Sequence, residues 1–192
     1  MFIELVTQLR KLRDEKQKIV IAIDGRCAAG KTTLAKALQE ELGCQVIHMD
    51  HFFLRPEQRT PERYQEPGGN VDRERFLEEV LLPLQKEEQF SYRPFDCHSM
   101  SLAQEITIYP NSITIVEGTY SAHPQLWNYY DYHIFMTVSK GLQLKRIARR
   151  NGAYLSMFRD QWIPMEEKYF AAFDFEQKCE FVYSTSDIIF IE

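Results

Sequence analysis

At 192 residues the chain suits one domain, spanning 1–192, large enough to bury a sizeable core. With 44% hydrophobic and 27% charged residues and only 8 Gly and 8 Pro, its composition is globular and excludes a disordered chain. A formal net charge of −5 gives no positive field for a polyanion, and no run approaches the roughly 18 apolar residues that span a bilayer, so neither nucleic acid nor membrane is an expected partner. The opening MFIELVTQLRKLRDEKQK has no signal-peptide core, which implies a cytoplasmic protein. Phe2, Leu5, Val6, Leu9 and Leu12 recur there at helical spacing and predict an amphipathic helix. Ile19 to Ile23 is apolar at every residue, as in a strand covered on both faces of a parallel sheet. From Lys31 to Leu42 the pattern is helical and stops at Gly43, a residue suited to a left-handed cap.

Val46 to Met49 reads as a second strand ending at Asp50, followed by a long polar stretch through Pro56, Pro61, Pro67 and Gly68-Gly69. Phe76, Leu77, Val80, Leu81 and Leu84 mark one face of a helix that begins near Asp72. Phe90 to Phe95 and Glu105 to Tyr109 can pair as a rim hairpin. Apolar runs at Ile113–Val116, Ile134–Val138 and Ile188–Ile191 supply three more strands, with a helix from about Lys140 to Arg150 before the last. Alternating strands and helices imply an α/β fold: a five-stranded parallel sheet with helices on both faces, and a helical lid over about 146–163. The four cysteines, Cys27, Cys44, Cys97 and Cys179, form no C-x-x-C pair and are expected as free thiols.

Between the first strand and the first long helix, Gly25-Arg26-Cys27-Ala28-Ala29-Gly30-Lys31-Thr32 matches G-x-x-x-x-G-K-[ST] in full. Glycines in such a loop let backbone N–H groups turn inward around phosphates, and the helix start adds its partial positive charge. The loop is therefore expected to bind ATP or GTP, with Lys31 reaching the β- and γ-phosphates and Thr32 ligating Mg²⁺. Cys27 is either a redox-sensitive thiol or simply a small residue that fits the loop.

The loop alone does not choose among kinases, switches and motors. No Asn-Lys-x-Asp sequence is present to read guanine in a GTPase switch. A small-molecule kinase needs a base, an acid that organises metal, and arginines for the transferring charge. Asp50 at a strand end is the candidate base, because the carboxyl ends of parallel strands form the ligand crevice; the alternative is a helix-cap or turn carboxylate. Glu117 occupies the same edge and can hold Mg²⁺ through water, or simply belong to the turn at Gly118. Arg146, Arg149 and Arg150 precede Asn151-Gly152, either as ordinary helix C-terminal cations or as lid arginines. Arg146 and Arg150, one turn apart, form the preferred pair.

These residues resemble the uridine kinase branch of the small-molecule P-loop kinases, a group that includes phosphoribulokinase, bacterial pantothenate kinase and nicotinamide riboside kinase. The likeness runs from about Ile19 to Phe170. It includes Gly30-Lys31-Thr32-Thr33, Met49-Asp50-His51-Phe52-Phe53, Asn70-Val71-Asp72, Val116-Glu117-Gly118, the arginine-rich lid and Pro164 to Tyr169. The resemblance implies that Asp50 deprotonates a primary hydroxyl and that Thr33 joins the nucleotide site. It also implies that Asp72 holds ribose hydroxyls, although Asp72 equally suits a helix N-cap. Phe95-Asp96-Cys97-His98-Ser99-Met100 resembles part of the branch's nucleoside-reading sequence, which makes Phe95, Asp96 and His98 acceptor-site candidates. The implied activity is phosphorylation of a nucleoside, uridine or cytidine first. Pantothenate, nicotinamide riboside or a sugar derivative is the alternative acceptor, and a nucleotide-binding regulatory protein the alternative class. Whether the chain forms a homo-oligomer is left open.

Overall fold

A computed structural model of the chain describes residues 3–186. Among these residues the strands are β1 (Ile19–Gly25), β2 (Gln45–His48), β3 (Phe90–Tyr92), β4 (Phe95–Asp96), β5 (Ser101–Leu102), β6 (Ile106–Ile108), β7 (Ile113–Glu117), β8 (Tyr132–Thr137) and β9 (Phe181–Ser184). Five of them form an all-parallel sheet in the order β2-β7-β1-β8-β9. β1 lies at its centre, with Ile19 opposite Ile113 on one side and Ile21 opposite Tyr132 on the other.

Because side chains alternate along a strand, β1 feeds two cores. Ile19, Ile21 and Ile23 pack with Leu5 and Leu9 of the helix Ile3–Lys16 and with Leu34 and Leu38 of the helix Lys31–Leu42. Val20 and Ala22 face the other way, toward Phe52, Phe76, Val80, Leu81, Tyr169 and Phe170. A strand apolar at every residue is thus the pattern that two covered faces require. Helix Lys31–Leu42 ends where expected: Gly43 is left-handed (φ 64°) and its N–H donates to the Gln39 carbonyl at 2.9 Å.

The sequence expectations missed one strand of the sheet and ended another one residue late. Ile188–Ile191 lies outside the described residues, and the fifth strand of the sheet is β9, Phe181–Ser184. As an edge strand, β9 alternates half-buried Phe181 and Tyr183 with exposed residues, so it lacks the continuous apolar run of a central strand. The second strand stops at His48, and Asp50 sits in the 3₁₀ turn Met49–Phe52 that follows. The rim hairpin forms between β3 and β6, Phe90 opposite Ile108, and β4–β5 pair within its loop. Among the described residues, no helix is long and apolar enough to cross a membrane.

Candidate active site around the phosphate loop

At the carboxyl end of β1 the chain must leave the sheet while lying against β8. Gly25 has φ 130°, and a Cβ there would lie 2.0 Å from the backbone oxygen of Met136. Only glycine permits both the conformation and the approach. Ala28 (φ 57°) and Gly30 (φ 95°) complete the turn into the helix that begins at Lys31. Cys27, Ala28, Gly30, Lys31, Thr32 and Thr33 then line one wall of a cavity of about 900 Å³.

The remaining loop residues brace it from behind. Ala29 is buried, and the Arg26 guanidinium grips both Glu167 carboxylate oxygens (2.7 and 2.9 Å) and Thr137 Oγ1. Lys31, 8% exposed, donates to the Gly25 and Arg26 carbonyls and to Thr119 Oγ1 at 2.7–3.0 Å, so its ammonium is held at the loop's mouth. Beneath it, fully buried Asp24 accepts from the backbone N–H groups of Gly25, Tyr120 and Ala122 and from the Tyr169 hydroxyl. Burial raises the pKa of Asp24, and these hydrogen bonds pull it back. That carboxylate ties the loop to the exit of β7 and to the helix Ile163–Phe173.

Two acids stand at neighbouring strand ends. Glu117 closes β7, where it accepts from Thr32 Oγ1 (3.1 Å) and meets His48 Nδ1 at 2.6 Å. Gly118 (φ 142°) follows, and a Cβ there would come within 2.8 Å of Met49 Cβ, so glycine lets the ends of β2 and β7 close together. Asp50 lines the cavity. Burial raises its pKa and Glu117 raises it further, while Lys31, His48 and Arg150 oppose the rise. The Thr32 hydroxyl and Glu117 carboxylate are hard oxygen donors side by side, which fits a Mg²⁺ ion. Among the described residues no group of three or more His, Cys, Asp or Glu could hold a metal, so such an ion would complete its shell from phosphate oxygens and water.

One carboxylate at the loop escapes sequence inspection. Glu166, 6% exposed, accepts from the Cys27 backbone N–H at 3.0 Å, and burial pushes its pKa up to about 7 against the pull of Lys31. The signal was an acid on the buried face of a helix, between Ile163 and Tyr169. Burial and Glu166 also raise the pKa of the Cys27 thiol, so it carries no thiolate character at neutral pH and fits the loop as a small residue.

The other expected residues divide by location. Arg150 lines the cavity from the end of the helix Lys140–Asn151, whereas Arg146 turns to the Ala28 carbonyl (3.0 Å) and to Thr185 (2.7 and 3.0 Å), bracing the loop from outside. Tyr154, Phe158, Gln161 and Trp162 of the expected lid line the cavity with it, and Met165 just beyond the lid does too. Asp72, 2% exposed, is an N-cap: it accepts from the Arg75 N–H at 3.1 Å and from Gln58 Nε2 at 2.8 Å, and it does not line the cavity. Asp96 spends its carboxylate on the N–H groups of His98 and Ser99 and the Ser99 hydroxyl, shaping its own turn. Phe95 is buried under Arg59, and of the three acceptor-site candidates in that segment His98 lines the cavity, next to Cys97.

No protein-family profile matches the chain, and no curated protein sequence matches it. Solved structures do. A chain described as a "possible uridine kinase" from Bacillus stearothermophilus aligns with TM-score 0.67 and 17% identity over 94% of this chain and 99% of its own. Shikimate kinase from Bacteroides thetaiotaomicron aligns with TM-score 0.45 and 18% identity over 86% and 85%. The chain has the α/β fold of the P-loop kinases.

Proposed function

We propose that this chain is a kinase that transfers the γ-phosphoryl group of ATP or GTP to the primary hydroxyl of a small molecule. The resemblance makes a nucleoside, uridine or cytidine, the first acceptor to try, with pantothenate, nicotinamide riboside or a sugar derivative next. The observation that carries the reading is that Asp50, a carboxylate without a phosphate-binding role, shares one cavity with Lys31, Thr32 and Glu117. A switch or motor activates only water, whereas a cavity of about 900 Å³ beside that carboxylate leaves room for an acceptor alcohol as well as the triphosphate.

In the transfer, the acceptor oxygen forms a bond to the γ-phosphorus as the bond from that phosphorus to the β–γ bridging oxygen breaks. The hydroxyl proton passes to Asp50, and the nucleoside diphosphate leaves with the bond's electron pair. The raised pKa of Asp50 suits this task, because a more basic carboxylate takes a proton more readily. Lys31 and the loop N–H groups hold the β- and γ-phosphates, and Arg150 faces the transferring group. Thr32 and Glu117 would hold Mg²⁺, which supplies charge neutralisation on the triphosphate.

The test is nucleoside diphosphate formation from Mg·ATP and Mg·GTP with uridine, cytidine, nicotinamide riboside, pantothenate and several sugars. Asp50→Ala is expected to lower acceptor-dependent turnover by roughly 10²–10⁴-fold while leaving the triphosphate dissociation constant unchanged. Equal turnover by the variant would remove Asp50 from the reaction.

A further inference from the structure

Five arginines lie between residues 55 and 75, and four of them are matched by carboxylates. Arg55 lies 3.5 Å from Glu57 and 3.8 Å from Asp72, Arg63 2.7 Å from Glu74, Arg73 2.6 Å from Glu66, and Arg75 3.2 Å from Glu79. Arg59 has no carboxylate within ion-pair distance among the described residues, and it is the arginine of the five that lines the cavity. It is half-buried and is held in place: Nε donates to the Leu54 carbonyl at 2.9 Å, the guanidinium lies 5.8 Å from the centre of the Phe95 ring, and the Cys97 thiol is beside it. A guanidinium kept partly out of water with no counter-ion carries a desolvation cost that an arriving anion offsets.

The side-chain contacts of Arg59 are with Leu54, Phe95 and Cys97, not with the phosphate loop. The loop, its lysine and the edge of β7 form the donor wall, with Arg150 on the lid. Arg59 belongs instead to the wall built by Phe53, Leu54, Tyr64, Cys97 and His98, the segment after β2 and the rim hairpin loop. Asp50, three residues before Phe53, lines the same cavity. The terminal nitrogens of an arginine fixed through Nε present two parallel N–H groups, the geometry that carboxylate and phosphate oxygens accept.

We propose that the acceptor is an anionic alcohol, and that Arg59 binds its carboxylate or phosphate while Asp50 addresses its primary hydroxyl. The inference rests on the kinase reading and narrows it: a neutral nucleoside leaves Arg59 unmatched, whereas one bearing a phosphate away from its primary hydroxyl does not.

The experiment compares acceptors in matched pairs that differ in one anionic group and keep a primary hydroxyl: uridine with uridine 3′-phosphate, pantothenol with pantothenate, and glycerol with glycerol 3-phosphate. Steady-state turnover is measured for the wild type, Arg59→Gln and Arg59→Lys, and calorimetry gives the dissociation constants of the anionic members and of Mg·ATP. At least one anionic member is expected to exceed its neutral partner in kcat/KM by roughly 10²-fold. Arg59→Gln should erase that preference mainly through KM, Arg59→Lys should restore part of it, and Mg·ATP binding should not change. Equal use of both members of every pair overturns the proposal. So does a loss of Mg·ATP affinity in Arg59→Gln that matches the loss of acceptor, which would assign Arg59 to the donor. Turnover of neutral acceptors with no Arg59-dependent anion binding leaves the kinase reading standing and this inference refuted. Arg59-dependent binding of an anionic member without turnover by any acceptor does the reverse. Absence of both refutes both.

Discussion

A single side chain, Glu166, sets a pH dependence on the whole molecule. Its folded pKa of about 7 lies above the 4.5 of a free glutamate because burial penalises the charged form. Below the unfolded value both states hold the proton and nothing is lost. Between the two values the native state keeps a proton that the unfolded chain has released, so stability falls as pH rises through about 7. Glutamine is neutral throughout and can still accept from the Cys27 N–H. Glu166→Gln should therefore melt progressively above the wild type between pH 5 and pH 8, by ~1–3 kcal/mol at the upper end. Thermal melts across that range check it, and a difference that is the same at every pH would mean that this carboxyl does not titrate near neutrality.

At the scale of elements, the junction between β1 and β8 tolerates no side chain. A Cβ on Gly25 meets the backbone of Met136, which is fixed by strand pairing and cannot yield as a flexible side chain would. Gly25→Ala should cost at least ~2 kcal/mol, from overpacking and from a φ of 130° that alanine avoids. Gly141, near the start of the helix Lys140–Asn151, has open space around its Cβ position, so Gly141→Ala should gain up to ~1 kcal/mol through helix propensity. Denaturant midpoints of the two variants should thus move in opposite directions. A shared direction would contradict the local packing at one of them. The sheet centre was readable in advance because β1, β7 and β8 are apolar on both faces. β9 was not, since an edge strand buries one face and its pattern resembles ordinary polar sequence.

Across the whole molecule, the phosphate loop is clamped by distant elements: Arg26 to Glu167 of the helix Ile163–Phe173, Arg146 of the helix Lys140–Asn151 to Ala28, and Glu166 to Cys27. A ligand that fills the loop binds only when these are assembled, so it should stabilise the entire fold. At a free Mg·ATP concentration of about 100 times its dissociation constant the gain is ~2.7 kcal/mol, readable as a rise in melting temperature. Lys31→Ala should abolish most of that rise. A wild-type melting temperature unmoved by saturating Mg·ATP or Mg·GTP would contradict the donor site itself.

What the sequence determined alone is the local part of this protein. The phosphate loop is eight contiguous residues between a strand and a helix, and its chemistry resides in backbone N–H groups and glycines whose placement depends on near neighbours. That Asp50 and Glu117 line the cavity was legible for the same reason, because the carboxyl ends of parallel strands, and the turns just after them, lie on a known side of the sheet. Tertiary packing decided which long side chains face the cavity: Arg150 and not Arg146, His98 and not Asp96, Arg59 among five arginines, and Asp72 spent on a helix cap. The direction of a side chain on a helix or loop is set by the elements packed against it, many residues away in the chain, and no spacing in the sequence carries that information.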